Sequence, residues 1–312
     1  MNPIHIAFCV NDSYAPYIIV AIRSVIENNR KSDVCIHVLT DYISEFNHQR
    51  LFDVVDGYKN VLLQIHLVDD TPLQGVKTLR WTIYAWYRLL LPMVLPDSVK
   101  QVLYLDADTL VVADISELFN IDMTGKAIAA VIDSICFSED TYERCGYSRH
   151  KQYICSGVML MNLDFWREYA LSEKVIRWSI NNDTRLKYPD QDAINVICED
   201  LKILLPIRYN VMHWYFVNEC FYQVPYIEQL SESICRPVII HYANCSLNVK
   251  ENSFYLFISE WIKYNKKCGS PVKRRYESKG WMLVKRIIWE FFHPYRNRCA
   301  LESVKLKIAT QH

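Results

Sequence analysis

The sequence predicts an α/β fold, and three observations carry that expectation. Through the first two thirds of the chain, short apolar runs alternate with amphipathic stretches of helical period. One of the runs ends in paired carboxylates, and open α/β sheets bind their ligands at the carboxyl ends of strands. The composition, 51% hydrophobic and 22% charged over 312 residues, supplies enough apolar surface to order one large domain and excludes a disordered chain.

Taken in order, Ile4–Val10 reads as a strand and Ala15–Asn28 as a helix, with Ile18, Ile22, Val25 and Ile26 at core spacing. Cys35–Thr40 follows as a strand, Ser44–Asp56 as a helix and Leu62–Leu67 as a third strand. The aromatic stretch Thr82–Leu91 is expected to be helical and to stop at Pro92 and Pro96. Gln101–Leu105 is a strand that terminates in acids, and Val111–Phe119 is a second hydrophobic element. Ala127–Ile132, Gly157–Leu163 and Val238–His241 read as strands, and Phe165–Asn181 and Asp190–Cys198 as helices. The C-terminal part is different in kind. From Lys263 to His312 there are thirteen Lys and Arg against three acids, a balance of +10, which leaves 22 against 32 for residues 1–262. Within it, Gly280–Tyr295 combines Trp281, Val284, Ile288, Phe291 and Phe292 with Lys285 and Arg286, the pattern of an amphipathic helix with one apolar side. Either it lies in a membrane interface or it packs that side on the body.

Several function classes are excluded. The seven glycines make neither a G-x-G-x-x-G nor a G-x-x-x-x-G-K-[ST] spacing, so no glycine loop cradles phosphate. Eleven cysteines, none at C-x-x-C spacing and several (Cys9, Cys35, Cys198) inside apolar runs, point to free buried thiols in a reducing compartment. The N-terminus lacks the charged and apolar regions of a signal peptide, and no run of about 18 apolar residues occurs. A cytoplasmic body with no nucleic-acid partner is expected.

The sharpest chemical feature is Val102–Val111, which delivers Asp106 and Asp108 at a strand end. Residues i and i+2 of an extended segment share a side, about 6.6 Å apart, so both carboxylates can converge on one hard cation such as Mg²⁺ or Mn²⁺. A bare D-x-D also occurs as a solvated turn. Here the acids are followed at once by another apolar element, which a solvated loop does not need.

At these residues the sequence resembles the family 8 glycosyltransferases, retaining enzymes that use UDP-sugars, and in particular the bacterial branch that builds lipopolysaccharide and related surface glycans. The resemblance covers roughly residues 4–260. It rests on six ordered motifs: Asn11–Tyr14, Tyr87–Leu89, Leu103–Asp108, Ser156–Leu163, Asp190–Asp192 and Ile240–Tyr242. It implies a GT-A fold, a single Rossmann-like nucleotide-sugar-binding domain with a mixed central sheet over residues 1–262; the basic aromatic helical region over 263–312, read from its own composition, follows it.

The resemblance also implies roles. Asp106, Asp108 and His241 match metal ligands, for Mn²⁺ or Mg²⁺. Asn11, Asp12, Ser13 and Tyr14 match the turn that contacts the uridine, and Arg88, Ala107, Asp133, Cys155 and Ser156 fall at donor-side positions. Asp190 would bind hydroxyls of the donor sugar, and Gln191 would lie near the β face of the anomeric carbon. Asp190 after Pro189 also reads as a helix N-cap, and Asp133 equally as a solvated strand-end acid. No pair of carboxylates presents itself as the nucleophile and acid/base couple of a retaining glycosidase. That fits the mechanism preferred for the family, same-face substitution in which the leaving phosphate takes the proton of the incoming hydroxyl.

The sequence departs from the family pattern in three places. Cys155 stands where Asn is usual, and after His241 the chain runs Ala243–Asn252 where a Gly and then Lys-Pro-Trp are usual. Lys250 is the candidate phosphate-binding lysine, at a longer spacing. The function expected is metal-dependent transfer of glucose or galactose from UDP to a lipid-linked or lipopolysaccharide glycan, on the inner face of the cytoplasmic membrane and held there by the tail. The alternatives are an N-acetylhexosamine transferase of the same fold and a non-catalytic nucleotide- or glycan-binding relative. A sugar nucleotidyltransferase would need a glycine-rich basic loop after the first strand, which Asn11–Tyr14 is not.

Overall fold

The structure, a computed structural model, describes residues 3–222, 225–250 and 255–292. Two sheets organise it. The larger has seven strands in the order β3-β2-β1-β4-β7-β6-β8, and the smaller has three, β5 (Thr109–Val111), β10 (Ile239–His241) and β9 (Val211–Met212), in that spatial order. In the large sheet β1 (Ile4–Cys9), β2 (Val34–Thr40), β3 (Val61–Leu67) and β4 (Gln101–Leu105) run parallel. Then β7 (Ile154–Asn162) runs antiparallel to both β4 and β6 (Ile128–Ile132), and β8 (Lys202–Leu204) is parallel to β6. The mixed sheet is therefore the GT-A arrangement.

Both faces are covered, which is why the strands read as near-continuous apolar runs. On one face α1 (Ala15–Asn28) sets Ile18, Ile22, Val25 and Ile26 against Ile6, Phe8, Ile36 and Val38. On the other lie Trp86, Tyr87 and Leu89–Leu91 together with α5 (Leu163–Glu168), α6 (Leu171–Asn181) and α7 (Pro189–Ile197), meeting Tyr104, Met159 and Met161. The remaining helices are α2 (Glu45–Val55), α3 (Leu91–Val94), α4 (Glu139–Cys145), α8 (Tyr226–Cys235), α9 (Ile258–Lys267) and α10 (Gly280–Phe292).

Three expectations change. The helix expected over Phe165–Asn181 is two, broken at Ala170, whose φ of 48° is left-handed. The stretch expected to be helical over Thr82–Leu91 is a 3₁₀ run, Ile83–Leu90, and does not stop at Pro92 but continues through it as α3. Its Arg88 Nε donates to the Ala85 carbonyl (2.7 Å), the acceptor that an α-helix would assign to the Leu89 N–H. Third, α9 runs across the charge boundary at residue 262: its Trp261 and Tyr264 pack with Ile240 and Tyr242 of the small sheet. The chain stays tied to the body beyond α9. Val272 is buried, and Arg274 donates to the carbonyls of Leu247 (2.9 Å) and Val249 (2.7 Å). The segment expected to continue helically to Tyr295 is helical to Phe292, and residues 293–312 lie outside the described part.

Candidate active site

The strand ends and one helix N-terminus converge on an open cleft of about 650 Å³. β1 supplies Asn11 just past its carboxyl end, β4 supplies Asp106 and Asp108, β6 supplies Asp133, and β10 (Ile239–His241) supplies His241. Because β7 is antiparallel, its N-terminal end meets the C-terminal end of β4 and brings in Cys155, Ser156 and Gly157. The first turn of α7 adds Asp190 and Gln191.

At the floor, His241 Nε2 stands 3.3 Å from Asp108 Oδ1 and 3.7 Å from Asp106 Oδ2. One ligand atom from each of the three lies within 4.8 Å of the others, so two carboxylates and an imidazole face a common point. His241 Nδ1 is 3.0 Å from Asn210 Oδ1, which fixes the ring so that Nε2 turns toward the acids. Gly157 completes the cradle, since a Cβ there would come closer than 3.0 Å to both Asp106 Oδ2 and His241 Cε1. The donor set suits a hard or borderline divalent ion.

Charge in the floor is organised by Arg88, which is 3% exposed. Its Nη2 donates to Asp106 Oδ1 (3.0 Å), its Nη1 to the Ser156 carbonyl (2.6 Å), and its Nε lies 3.3 Å from Asp190 Oδ2. Tyr104 stacks on the guanidinium and donates its hydroxyl to Asp106 Oδ1 at 2.6 Å. Burial would raise the Asp106 carboxyl, but Arg88, His241 and the Tyr104 hydroxyl outweigh it and hold the acid below its ordinary range. Burial would lower His241, but the Asp108 carboxylate, together with Cys155, pushes it well up. For Asp190 and Asp133 burial wins, and both are raised even though Arg88 opposes it at Asp190 and hydrogen bonds oppose it at Asp133.

Gln191 is held at both ends. Its Oε1 accepts from the Ser156 N–H (3.0 Å), and its Nε2 donates to Asp133 Oδ2 (3.0 Å). Ser156 Oγ also lies 3.4 Å from Oε1, but while its single proton goes to Asp190 at 3.1 Å one lone pair of Oε1 is left for a ligand in the cleft. Asp190 accepts from Ser156 Oγ at 3.1 Å. Asp192, two residues on, is fully buried and accepts from Arg144, Tyr153 and the backbone N–H groups of Lys187 and Tyr188, so it anchors α7 and does not face the cleft.

Asn11, Tyr14, Arg88, Ala107, Asp133, Cys155 and Ser156 all line the cleft. Asp12 and Ser13 do not: Asp12 Oδ1 accepts from Ser44 N and Oγ and from Asn47 Nδ2 at the start of α2, and Ser13 donates to Asn11. Lys250 is also outside the lining, its ammonium 4.7 Å from the Tyr276 ring centroid and its N–H bonded to the Arg275 carbonyl. Residues 244–248 line the cleft in its place. Sequence reasoning misses Asn210, which no spacing marks, and the wall in which Arg80 and Tyr188 both meet Trp81. Aromatic composition around Trp81 is its only signal.

The glycosyl transferase family 8 model matches residues 5–249, most of the chain and every element that builds the cleft floor. The chain belongs to glycosyl transferase family 8. Among its relatives, lipopolysaccharide 1,2-glucosyltransferase of Escherichia coli is 28% identical over 213 residues, 67% of this chain and 62% of that one. The chain thus spans less than two thirds of the length of that relative. General stress protein A of Bacillus subtilis is 27% identical over 270 residues, 83% of this chain and 92% of that one. Among solved structures, the galactosyltransferase LgtC in complex with donor and acceptor sugar analogs has a TM-score of 0.75 at 22% identity, over 90% of this chain and 99% of that one. That likeness establishes the shared fold. Within the family fold, the pair at residues 106 and 108, the histidine ending β10 and the glutamine opening α7 come from separate stretches of chain and meet in one cleft.

Proposed function

We propose that this family 8 member is a retaining glycosyltransferase that moves glucose or galactose from UDP to a hydroxyl of a lipopolysaccharide or related bacterial surface glycan. One observation carries the reading: Asp106, Asp108 and His241 converge closely enough to hold one cation, in the same cleft as Gln191 and Asp190. The names of the Escherichia coli relatives support the acceptor class.

Asp106, Asp108 and His241 would hold Mn²⁺ or Mg²⁺, which would neutralise charge on the departing diphosphate. The other steps belong to the chain. Arg88 keeps Asp106 ionised and Asp190 in place. Asp190 is positioned for sugar hydroxyls, and the free lone pair of Gln191 Oε1 for the positive charge that develops at the anomeric carbon. Asn11 and Tyr14 offer the uridine side, while Asp12 shapes that turn from behind. Among the described residues the cleft lining contains no lysine, so the diphosphate would rely on the cation, Arg80 and the backbone of 244–248.

The C-terminal helix is proposed to rest on the cytoplasmic face of a membrane. Trp281 (67%), Val284 (42%) and Ile288 (49%), on one side of α10, are exposed, and no described helix is long and apolar enough to cross a bilayer. Such a face with basic neighbours suits an interface, where each Lys or Arg adds about 1 kcal/mol on anionic lipid. The part proposed for this role starts at Gly280, because the chain before it supports the cleft loop.

The test is metal-dependent release of UDP from a panel of UDP-sugars, first without acceptor and then with lipopolysaccharide core acceptors. Release from UDP-glucose or UDP-galactose is expected. Release only from N-acetylhexosamine donors would move the reading to that donor class, and no release with any donor and metal would leave a binding relative.

A further inference from the structure

A second group of ligand-type side chains runs diagonally across the strands, from the start of β1 to the edge strand β3. His5 on β1, His37 on β2 and His66 on β3 form a ladder: His5 Nδ1 is 3.0 Å from His37 Nε2, and His37 Nδ1 is 3.0 Å from His66 Nε2. The first two rings stack at 14° with centroids 5.3 Å apart. Cys35 sits opposite His5 in the β1–β2 register and, two residues before His37, shares its side of the strand. Ile6, Phe8, Ile36 and Val38 face α1, so the ladder lies on the opposite face. His5 is separated from Asn11 by six residues of nearly extended chain, roughly 20 Å at about 3.3 Å per residue.

We infer that His5, Cys35 and His37 form a second metal site, for a borderline-soft transition ion of the Zn²⁺ class, unrelated to the cation of the cleft. One nitrogen from each histidine and the Cys35 sulfur lie within 4.8 Å of one another. A tetrahedral ion with Zn–N of about 2.0 Å and Zn–S of about 2.3 Å needs N···N separations of about 3.3 Å and N···S of about 3.6 Å. The present 3.0 Å between His5 and His37 is within a few tenths of that edge. Zinc also explains the third histidine. With His37 binding through Nε2, its Nδ1–H donates to His66 Nε2, the outer-shell partner that a metal-bound imidazole ordinarily has. His37 is 1% exposed and stands between the rings of His5 and His66, so an ion bound to it would be shielded from solvent on that side. His5 is only partly buried, which leaves an entry path and a fourth position for water or a small anion. The alternative is a ladder of hydrogen bonds that staples three strands without an ion.

The two are separated with the full-length chain, stripped with chelator and titrated with Co²⁺ alone, reading the thiolate-to-cobalt charge-transfer band. Cys155 lies near the other cation site, so Cys155→Ser is the matched control. One equivalent of Co²⁺ should give the band in wild type, Cys155→Ser and Asp106→Asn, and Zn²⁺ should bleach it. The band should vanish in Cys35→Ser. In His66→Gln, which removes only the outer-shell partner, it should remain but need about 10–100-fold more metal, and in His5→Ala, which removes a ligand, it should need more metal than in His66→Gln. Near-ultraviolet circular dichroism checks that each variant is folded. UDP-sugar hydrolysis with saturating Mn²⁺ should be unchanged in Cys35→Ser, so the result does not depend on the function proposed for the cleft. No band in wild type, or an equal band in Cys35→Ser, would overturn the site and leave the strand staple.

Discussion

Adding one methyl group at Gly157 should disable the cleft cation site and leave the rest of the fold standing. The residue sits on β7 beside the end of β4, and Asp106 donates its N–H to the Gly157 carbonyl at 2.8 Å. A Cβ built there comes closer than 3.0 Å to Asp106 Oδ2 and His241 Cε1 and lies 3.1 Å from Asp106 Cγ. Ordinary carbon contact is about 3.5–4.0 Å, so both side chains must retreat by roughly 1 Å. Neither is free to do so, because Arg88 and Tyr104 hold the carboxylate and Asn210 holds the ring. Overpacking of this kind costs about 1–3 kcal/mol of stability, and a displacement near 1 Å at a reacting centre costs about 10²-fold in rate. The assay is Gly157→Ala hydrolysis of UDP-sugar titrated with Mn²⁺, beside a thermal melt. The expected outcome is a folded protein with a modestly lower Tm, weaker metal activation and kcat down about 10²-fold. Wild-type metal dependence and turnover in Gly157→Ala would refute the claim that Asp106 and His241 act from the positions described.

Asp106→Asn and Asp108→Asn should each lower turnover about 10²-fold or more, the loss expected when several kcal/mol of charge stabilisation disappears, and EDTA should do the same to wild type; full activity in EDTA would remove the metal. Gln191→Ala should cut kcat about 10²–10³-fold with little change in KM, and the product read by NMR should be the α anomer; a normal kcat with a raised KM would place Gln191 in ground-state binding. Deleting residues 280–312 should abolish flotation with anionic vesicles at low salt while sparing UDP-sugar hydrolysis, whereas deleting from 271 should also damage the cleft loop, because it removes Val272 and Arg274. UDP binding followed by calorimetry should be undetectable after chelation and return with Mn²⁺; equal binding in both states would show that the cleft does not need the cation to hold diphosphate.

The parts of the fold legible in the sequence are those where one local signal decides. Strands buried on both faces read as apolar runs, so β1, β2 and β4 fall within a residue or two of where their apolar runs lie. Ala170 gives no warning of the break between α5 and α6, since alanine favours helix and yet its backbone here is left-handed, with φ 48°. In α9 the lysines read as the start of a basic tail, which hides the Trp261 and Tyr264 spacing that packs it on the small sheet. At the site, Asp106 and Asp108 are marked by their spacing, and His241 by resemblance to the family. Asp12 lies in the expected turn but points its carboxylate toward α2, an outcome set by Ser44 and Asn47 more than thirty residues away. Lys250 shows the same limit: it is the lysine that follows His241, at a longer spacing than the family's, but the bond of its N–H to the Arg275 carbonyl carries it past the cleft.

The charge in the cleft gives an order to its use. Among the described residues four carboxylates line it, Asp106, Asp108, Asp133 and Asp190, against the cations Arg80 and Arg88 and the ring of His241. Arg88 is already committed to Asp106 and Asp190, a buried pairing that keeps both acids tolerable but leaves little of its charge for a ligand. Arg80 lies over Trp81 at the wall. A diphosphate approaching this surface alone meets more negative charge than positive. A dication held by Asp106, Asp108 and His241 reverses that sign at the floor, because a bound ion is the largest local charge in such a site. Under the function proposed here, the acids that repel the donor in the absence of metal are the ones that recruit it afterward, so metal binds before UDP-sugar. The basic excess of the C-terminal region does not alter this balance, since no lysine or arginine beyond residue 262 lines the cleft among the described residues.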